Sequence, residues 1–174
     1  MNAGTAPIPY RRGDLVGRLT HSFSNNFSAI AIDAGGEEIT YSQLEFWIQD
    51  IIRQVGPDLP DEGARIVVLS DDPIDYVPTM LAAFRLGALY VPMNPKAPKQ
   101  RLTQLLAEVN PTVVLCGSME KEVDILKGYF TRRLPPYTGK FSTPDLLNTD
   151  RNNPGEFPAY LFYTSGSTGK PQGI

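Results

Sequence analysis

Apolar residues in this chain recur at two spacings, and the alternation between them predicts most of its elements. From Asp14 to Phe23, the residues Leu15, Val16, Leu19 and Phe23 fall at helical spacing, with Asp14 placed as an N-cap. Ala29–Asp33 and Glu38–Thr40, joined through Gly35 and Gly36, read as a β-hairpin. Thr40 and Gln43 then have the spacing of a capping box. The helix they open carries Leu44, Trp47, Ile48, Ile51, Ile52 and Val55 as one i, i+3, i+4 stripe that ends at Gly56-Pro57. A tryptophan on such a stripe reads as core.

Beyond Arg65 the pattern becomes strand, helix, strand, helix. Arg65–Ser70 is a buried-type strand, and Asp72-Pro73 opens a helix with Tyr76, Val77, Met80, Leu81 and Phe84 on one face. Gly87 is its C′ stop. Leu89–Val91 predicts a strand, Pro98–Val109 a helix, Thr112–Cys116 a strand, Glu120–Tyr129 a weaker helix and Ala159–Tyr163 a last strand. Residues 131–157 are polar and proline-containing and read as a surface connection; residues 1–13 read as a flexible leader. Alternating strands and helices require crossover connections, so the fold class is α/β: a layered, mostly parallel sheet flanked by helices, with a small N-terminal β-hairpin.

Length, at 174 residues, suits one ordinary domain. A hydrophobic content of 41% with 20% charged residues describes a globular chain. A net charge of −3 gives no electrostatic case for nucleic acid or an anionic membrane. No apolar run approaches the roughly 20 residues of a membrane helix, and no signal-peptide core is visible near Met1, so the expected location is the cytoplasm. The single cysteine, Cys116, lies in the apolar run from Thr112 and reads as a buried structural thiol. The single histidine, His21, cannot supply a histidine metal site or a triad. Asn26-Phe27-Ser28 fits a glycosylation sequon, which carries no meaning without secretion.

The chemistry concentrates at the end, where the strand Ala159–Tyr163 runs into Thr164, Ser165, Gly166, Ser167, Thr168, Gly169, Lys170, Pro171, Gln172, Gly173. Glycines let successive backbone N–H groups converge on one point. Hydroxyls and a lysine complete an anion-binding nest, so the residues suit a polyphosphate. The same composition describes a plain flexible loop, and composition alone leaves both open. A Walker loop is excluded: it needs four residues between its glycines and Ser or Thr after the lysine, whereas Pro171 follows Lys170.

The order of residues is more specific. Tyr163 to Gly173 resembles the phosphate loop of the acyl-adenylate-forming superfamily, which holds acyl-CoA synthetases, the adenylation domains of nonribosomal peptide synthetases, and firefly luciferase. The family pattern, Tyr-Thr-Ser-Gly-(Ser/Thr)-Thr-Gly-x-Pro-Lys-Gly, is met at every fixed place except one: Gln172 stands where lysine is usual. Ile39–Leu44 resembles a first shared motif, Leu-Thr-Tyr-x-Glu-Leu, with Gln43 in the glutamate place. Phe84–Pro95, followed by Arg101-Leu102, resembles a second and looks most like peptide synthetase adenylation domains. The resemblance covers residues 14–174, the front portion of the family's adenylation domain.

That resemblance implies a two-step reaction: a carboxylic or amino acid attacks the α-phosphate of ATP, with Mg²⁺, and the acyl-adenylate passes to a thiol. The acceptor would be phosphopantetheine on a carrier-protein domain, or CoA. Thr164, Ser165, Gly166, Ser167, Thr168, Gly169 and Lys170 would hold the phosphates that leave. The family's adenine-stacking motif, Mg²⁺ ligands and catalytic lysine follow this loop and are not in these residues, so the chain alone is expected to be inactive. A non-catalytic relative acting as a partner module, or one half of a split enzyme, are the alternative expectations.

Overall fold

The structure, a computed structural model, describes residues 15–117, 124–137, 159–161, 163–165 and 171–173. Its elements run α1 (Leu15–Asn25), β1 (Ile30–Asp33), β2 (Glu38–Thr40), α2 (Tyr41–Val55), β3 (Arg65–Leu69), α3 (Tyr76–Arg85), β4 (Leu89–Met93), α4 (Lys99–Val109), β5 (Val113–Cys116), β6 (Thr131–Arg133), β7 (Tyr163–Ser165) and β8 (Pro171–Gly173). The layered, largely parallel α/β architecture expected from the alternation is the one found.

β1 and β2 form the expected antiparallel hairpin, and Gly35 and Gly36 take φ of 71° and 116° at its turn. Side chains avoid such angles, which is why glycines sit there. The capping box is complete. Thr40 Oγ1 accepts from the Gln43 amide at 3.3 Å, and Gln43 Oε1 accepts from the Thr40 amide at 2.8 Å. Two donors that the helix start leaves orphaned are thereby satisfied.

The main sheet has the order β4-β3-β5-β6 with all pairs parallel. From β3 the chain steps to β4 on one side, then returns past β3 to β5. Right-handed crossovers in opposite directions place their helices on opposite faces. Accordingly Ile66, Val68, Tyr90, Val113 and Leu115 meet the layer of α2 and α3, while Val67, Leu69, Val91, Val114 and Cys116 meet α4. The stripe of α2 (Leu44, Trp47, Ile48, Ile51, Ile52, Val55) is buried throughout. Cys116 is buried, as its apolar run implies.

One ion pair ties α2 to α3. Arg85 donates from both terminal nitrogens to the two Glu45 oxygens at 2.6 and 2.7 Å, with its guanidinium over the Phe23 ring of α1. Burial pushes the Glu45 carboxyl up, but the hydrogen bonds and charge of Arg85, with a bond from Gln49, outweigh it and hold the group below its ordinary value.

Several expected elements differ. Residues 124–128 form turns rather than the end of a helix; Gly128 at φ 91° is incompatible with continuing one, and residues 118–123 lie outside the described set. Thr131–Arg133, read as part of a loop, is β6, held by parallel pairing to Val114–Cys116. The Asp72-Pro73 start is a short 3₁₀ turn, Pro73–Asp75, before α3 begins at Tyr76. The last strand is divided. Tyr160 makes an isolated parallel bridge to Tyr90, and Tyr163 begins the separate β7. The leader 1–13 and the Asp14 cap lie outside the described residues.

Candidate functional site

The terminal segment joins the sheet along β4. Tyr90 donates its amide to the Ala159 carbonyl at 3.0 Å, and Leu161 donates to the Tyr90 carbonyl at 3.0 Å. The chain therefore passes β4 in its own direction, toward the carboxyl ends of the strands. Ligands of open α/β sheets bind at those ends. There Tyr163–Ser165 pairs antiparallel with Pro171–Gly173, in the register Tyr163↔Gly173, Thr164↔Gln172 and Ser165↔Pro171. The candidate phosphate loop is thus carried between the two strands of a hairpin, and position 172 lies across from position 164. Thr164 and Ser165 belong to β7; Gly166, Ser167, Thr168, Gly169 and Lys170 lie outside the described residues.

The stem of the hairpin packs on both faces of the sheet. Tyr160 stands edge-on to Tyr90, ring centroids 5.2 Å apart at 64°, on the α2/α3 side. Leu161 and Tyr163 pack into the α4 cluster on the other side. Burial raises the Tyr163 phenol above its ordinary value, and the charge of Glu108 on α4, with a hydrogen bond to it, raises it further. Burial likewise raises Tyr90 and Tyr160.

The carboxyl end of the sheet also opens as a cleft of about 1150 Å³, lined by residues outside the hairpin. It lies where the strand order reverses, between the ends of β3 and β5. Ser70, at the end of β3, donates to Asp75 Oδ2 at 2.6 Å and accepts from the Asp72 amide at 3.1 Å. Burial raises the Asp75 carboxyl, the Ser70 hydroxyl opposes this, and Asp72 and Asp71 add to it. Gly117, at the end of β5, comes so close that an added Cβ would stand 2.7 Å from Ser70 Oγ and 3.1 Å from Asp75 Oδ2. Ion pairs Lys96–Asp71 at 3.2 Å and Lys99–Asp124 at 3.7 Å cross its rim. Among the described residues no group of three or more His, Cys, Asp or Glu is placed to hold a metal ion. No helix among them is long and apolar enough to cross a membrane.

Sequence reasoning did not single out Glu108, Ser70, Asp75 or Gly117. A glycine directly after a buried strand was the one readable signal among them. Glu108 sits on the solvent side of an amphipathic helix and carried none.

Residues 19–174 match the model of the family described as AMP-binding enzyme, and the chain belongs to that family. It is 32% identical over 155 residues to the hybrid PKS-NRPS synthetase LUC5 of a Fusarium species, covering 84% of this chain and 4% of that protein. It is 29% identical over 168 residues to the L-proline–[L-prolyl-carrier protein] ligase of Pseudomonas fluorescens, covering 90% of this chain and 33% of that one. The chain therefore spans a third or less of these two curated relatives. Among solved structures, o-succinylbenzoate CoA synthetase from Bacillus subtilis, in complex with its acyl-adenylate intermediate, superposes with a TM-score of 0.71 at 19% identity. That likeness covers 90% of this chain and 40% of the synthetase, and it shows the shared fold.

Proposed function

We propose that this chain forms the front portion of a cytoplasmic, ATP-dependent ligase that activates a carboxylic or amino acid as its adenylate. A carboxylate oxygen attacks the α-phosphorus of ATP, the bond from that phosphorus to the β-bridging oxygen breaks, and pyrophosphate leaves. The acyl group then passes to a thiol with release of AMP. Carrier-protein phosphopantetheine is favoured over CoA as acceptor, because the sequence relatives include peptide synthetases and a carrier-protein ligase.

One observation carries this reading: the sequence of residues from Tyr163 to Gly173, whose two ends pair as the strands of a hairpin at the carboxyl end of the sheet. In this reading Thr164, Ser165, Gly166, Ser167, Thr168, Gly169 and Lys170 hold the β- and γ-phosphates. Such a site works by positioning and by neutralising charge as it builds on the departing oxygens. Mg²⁺ accompanies ATP as part of the substrate. The chain spans a third or less of these relatives, and in this reading the groups that hold adenine, metal and acid lie in the remainder of the protein.

The test is acid-dependent exchange of labelled pyrophosphate into ATP by the longer protein, across a panel of amino and carboxylic acids. Exchange with one acid class supports the reading. A folded protein that binds Mg·ATP yet exchanges with none overturns it in favour of a non-catalytic relative.

A further inference from the structure

The terminal segment meets β4 through one residue. Along a strand, successive residues turn their N–H and C=O groups to opposite sides. Leu89 donates to the Ala64 carbonyl on the β3 side, so Tyr90 and Pro92 are the β4 residues turned outward. Pro92 has no N–H, which leaves Tyr90 as the residue of β4 able to donate to the segment. Both backbone bonds are made there, to Ala159 and from Leu161. The ring contact on the α2/α3 face is made there too, with Tyr160 edge-on to Tyr90.

Tyr90 is itself held at its far end. It is 1% exposed, and its hydroxyl donates to the Tyr76 carbonyl at 3.2 Å and lies 3.5 Å from Thr79 Oγ1, both in the first turn of α3. Tyr76 in turn donates from its hydroxyl to the Ser70 carbonyl at the end of β3. A ring fixed at both ends presents one surface to Tyr160. A ring without the hydroxyl bonds is free to tilt in its place.

We propose that Tyr90 is a positioning residue for nucleotide binding: its hydroxyl, anchored on α3, sets the ring on which Tyr160 rests, and so places the stretch that continues into Thr164 and Ser165. This rests on the reading of those two residues as phosphate ligands, and Tyr90 touches no substrate. Tyr90→Phe strands no buried partner, because Thr79 Oγ1 also donates to the Asp75 carbonyl at 2.6 Å and to the Tyr76 carbonyl at 3.1 Å. The variant therefore folds and loses the anchor alone. Hydrogen bonds of this kind account for about a two- to ten-fold effect.

The experiment uses the longer ligase. Tyr90→Phe is expected to speed amide hydrogen exchange over residues 159–165 about two- to ten-fold, with β3 and β5 unchanged. KM for ATP rises by a similar factor, while KM for the acid stays at its wild-type value. In a Tyr160→Leu background the same substitution adds nothing further, because the ring it acts on is gone. Wild-type exchange over 159–165, faster exchange that extends equally to β3 and β5, or effects that add in full in the double variant each overturn the anchor. Thr164→Ala tests the underlying reading. Where it raises KM for ATP and Tyr90→Phe does not, the positioning role is overturned. Where neither does, the phosphate reading fails, and amide exchange alone decides the anchor.

Discussion

Replacing Glu45 by alanine removes one partner of the Arg85 ion pair and leaves a guanidinium that is only 6% exposed. Both lost hydrogen bonds are short and charge-assisted, at 2.6 and 2.7 Å. Breaking a buried pair from one side costs about 3–5 kcal/mol, because the remaining charge stays in a poorly solvated place. The Glu45 side chain is 16% exposed, so water can enter its vacated space and the lower figure, about 3 kcal/mol, applies. For a domain of this size that corresponds to a fall in Tm of roughly 6–12 °C. Urea unfolding followed by the fluorescence of Trp47, the single tryptophan, reads the change directly. Replacing both partners together, Glu45→Met with Arg85→Leu, should recover most of the loss, since no charge is then stranded. The pH dependence has a defined sign. The folded Glu45 carboxyl titrates below its ordinary value, so its stabilisation is in place above the unfolded value of about 4.3 and fades as pH falls through the lower folded one. The gap between wild type and Glu45→Gln should therefore narrow below about pH 4. A loss under about 1 kcal/mol for Glu45→Ala, or a gap that persists undiminished in acid, would refute this account of the pair.

Three further outcomes are expected. Gly117→Ala drives a methyl to 2.7 Å from Ser70 Oγ, so it should cost about 1–3 kcal/mol in urea unfolding, and pairing it with Ser70→Gly should return part of that. Thr40→Ala deletes one half of the capping box and should cost about 1 kcal/mol, whereas Thr40→Ser should be nearly silent in thermal melts. In the longer ligase, Gln172→Lys places a positive charge across from Thr164, beside the pyrophosphate that the proposed reaction would expel. A unit charge pair at about 4 Å and an effective dielectric near 20 is worth about 4 kcal/mol before screening. With screening by water discounted, roughly ten- to hundred-fold faster pyrophosphate exchange is expected, and an unchanged rate would count against this reading of position 172.

Local signals were the legible ones. The Thr40–Gln43 box, the Gly35-Gly36 turn and the α2 stripe each declare themselves within a few residues, and each stands where the pattern put it. β6 was invisible for the opposite reason. Thr131-Arg132-Arg133 has no apolar period, and only Val114–Cys116, far away in sequence, makes it a strand. Ile125, Leu126 and Tyr129 imitate a helical stripe, but the first two are buried from a turn under α4 and Gly128 breaks the helix register. At the candidate site, the order of glycines and hydroxyls made the loop a candidate, while the contacts of its stem did not show. The contacts of Tyr163 with α4, of Tyr160 with Tyr90, and of Gly117 with Ser70 are products of tertiary folding between residues 47 or more positions apart. One-dimensional spacing holds no trace of them.

In the proposed reaction the loop after Tyr163 grips the diphosphate that ATP gives up. Selective ¹⁵N labelling of glycine in the longer ligase, with Mg·ATP titrated in, tests it at the atoms concerned. Saturable downfield movement of the Gly166 and Gly169 amide resonances is expected, lost with Lys170→Ala. Saturable binding of Mg·ATP that leaves both resonances in place would contradict it.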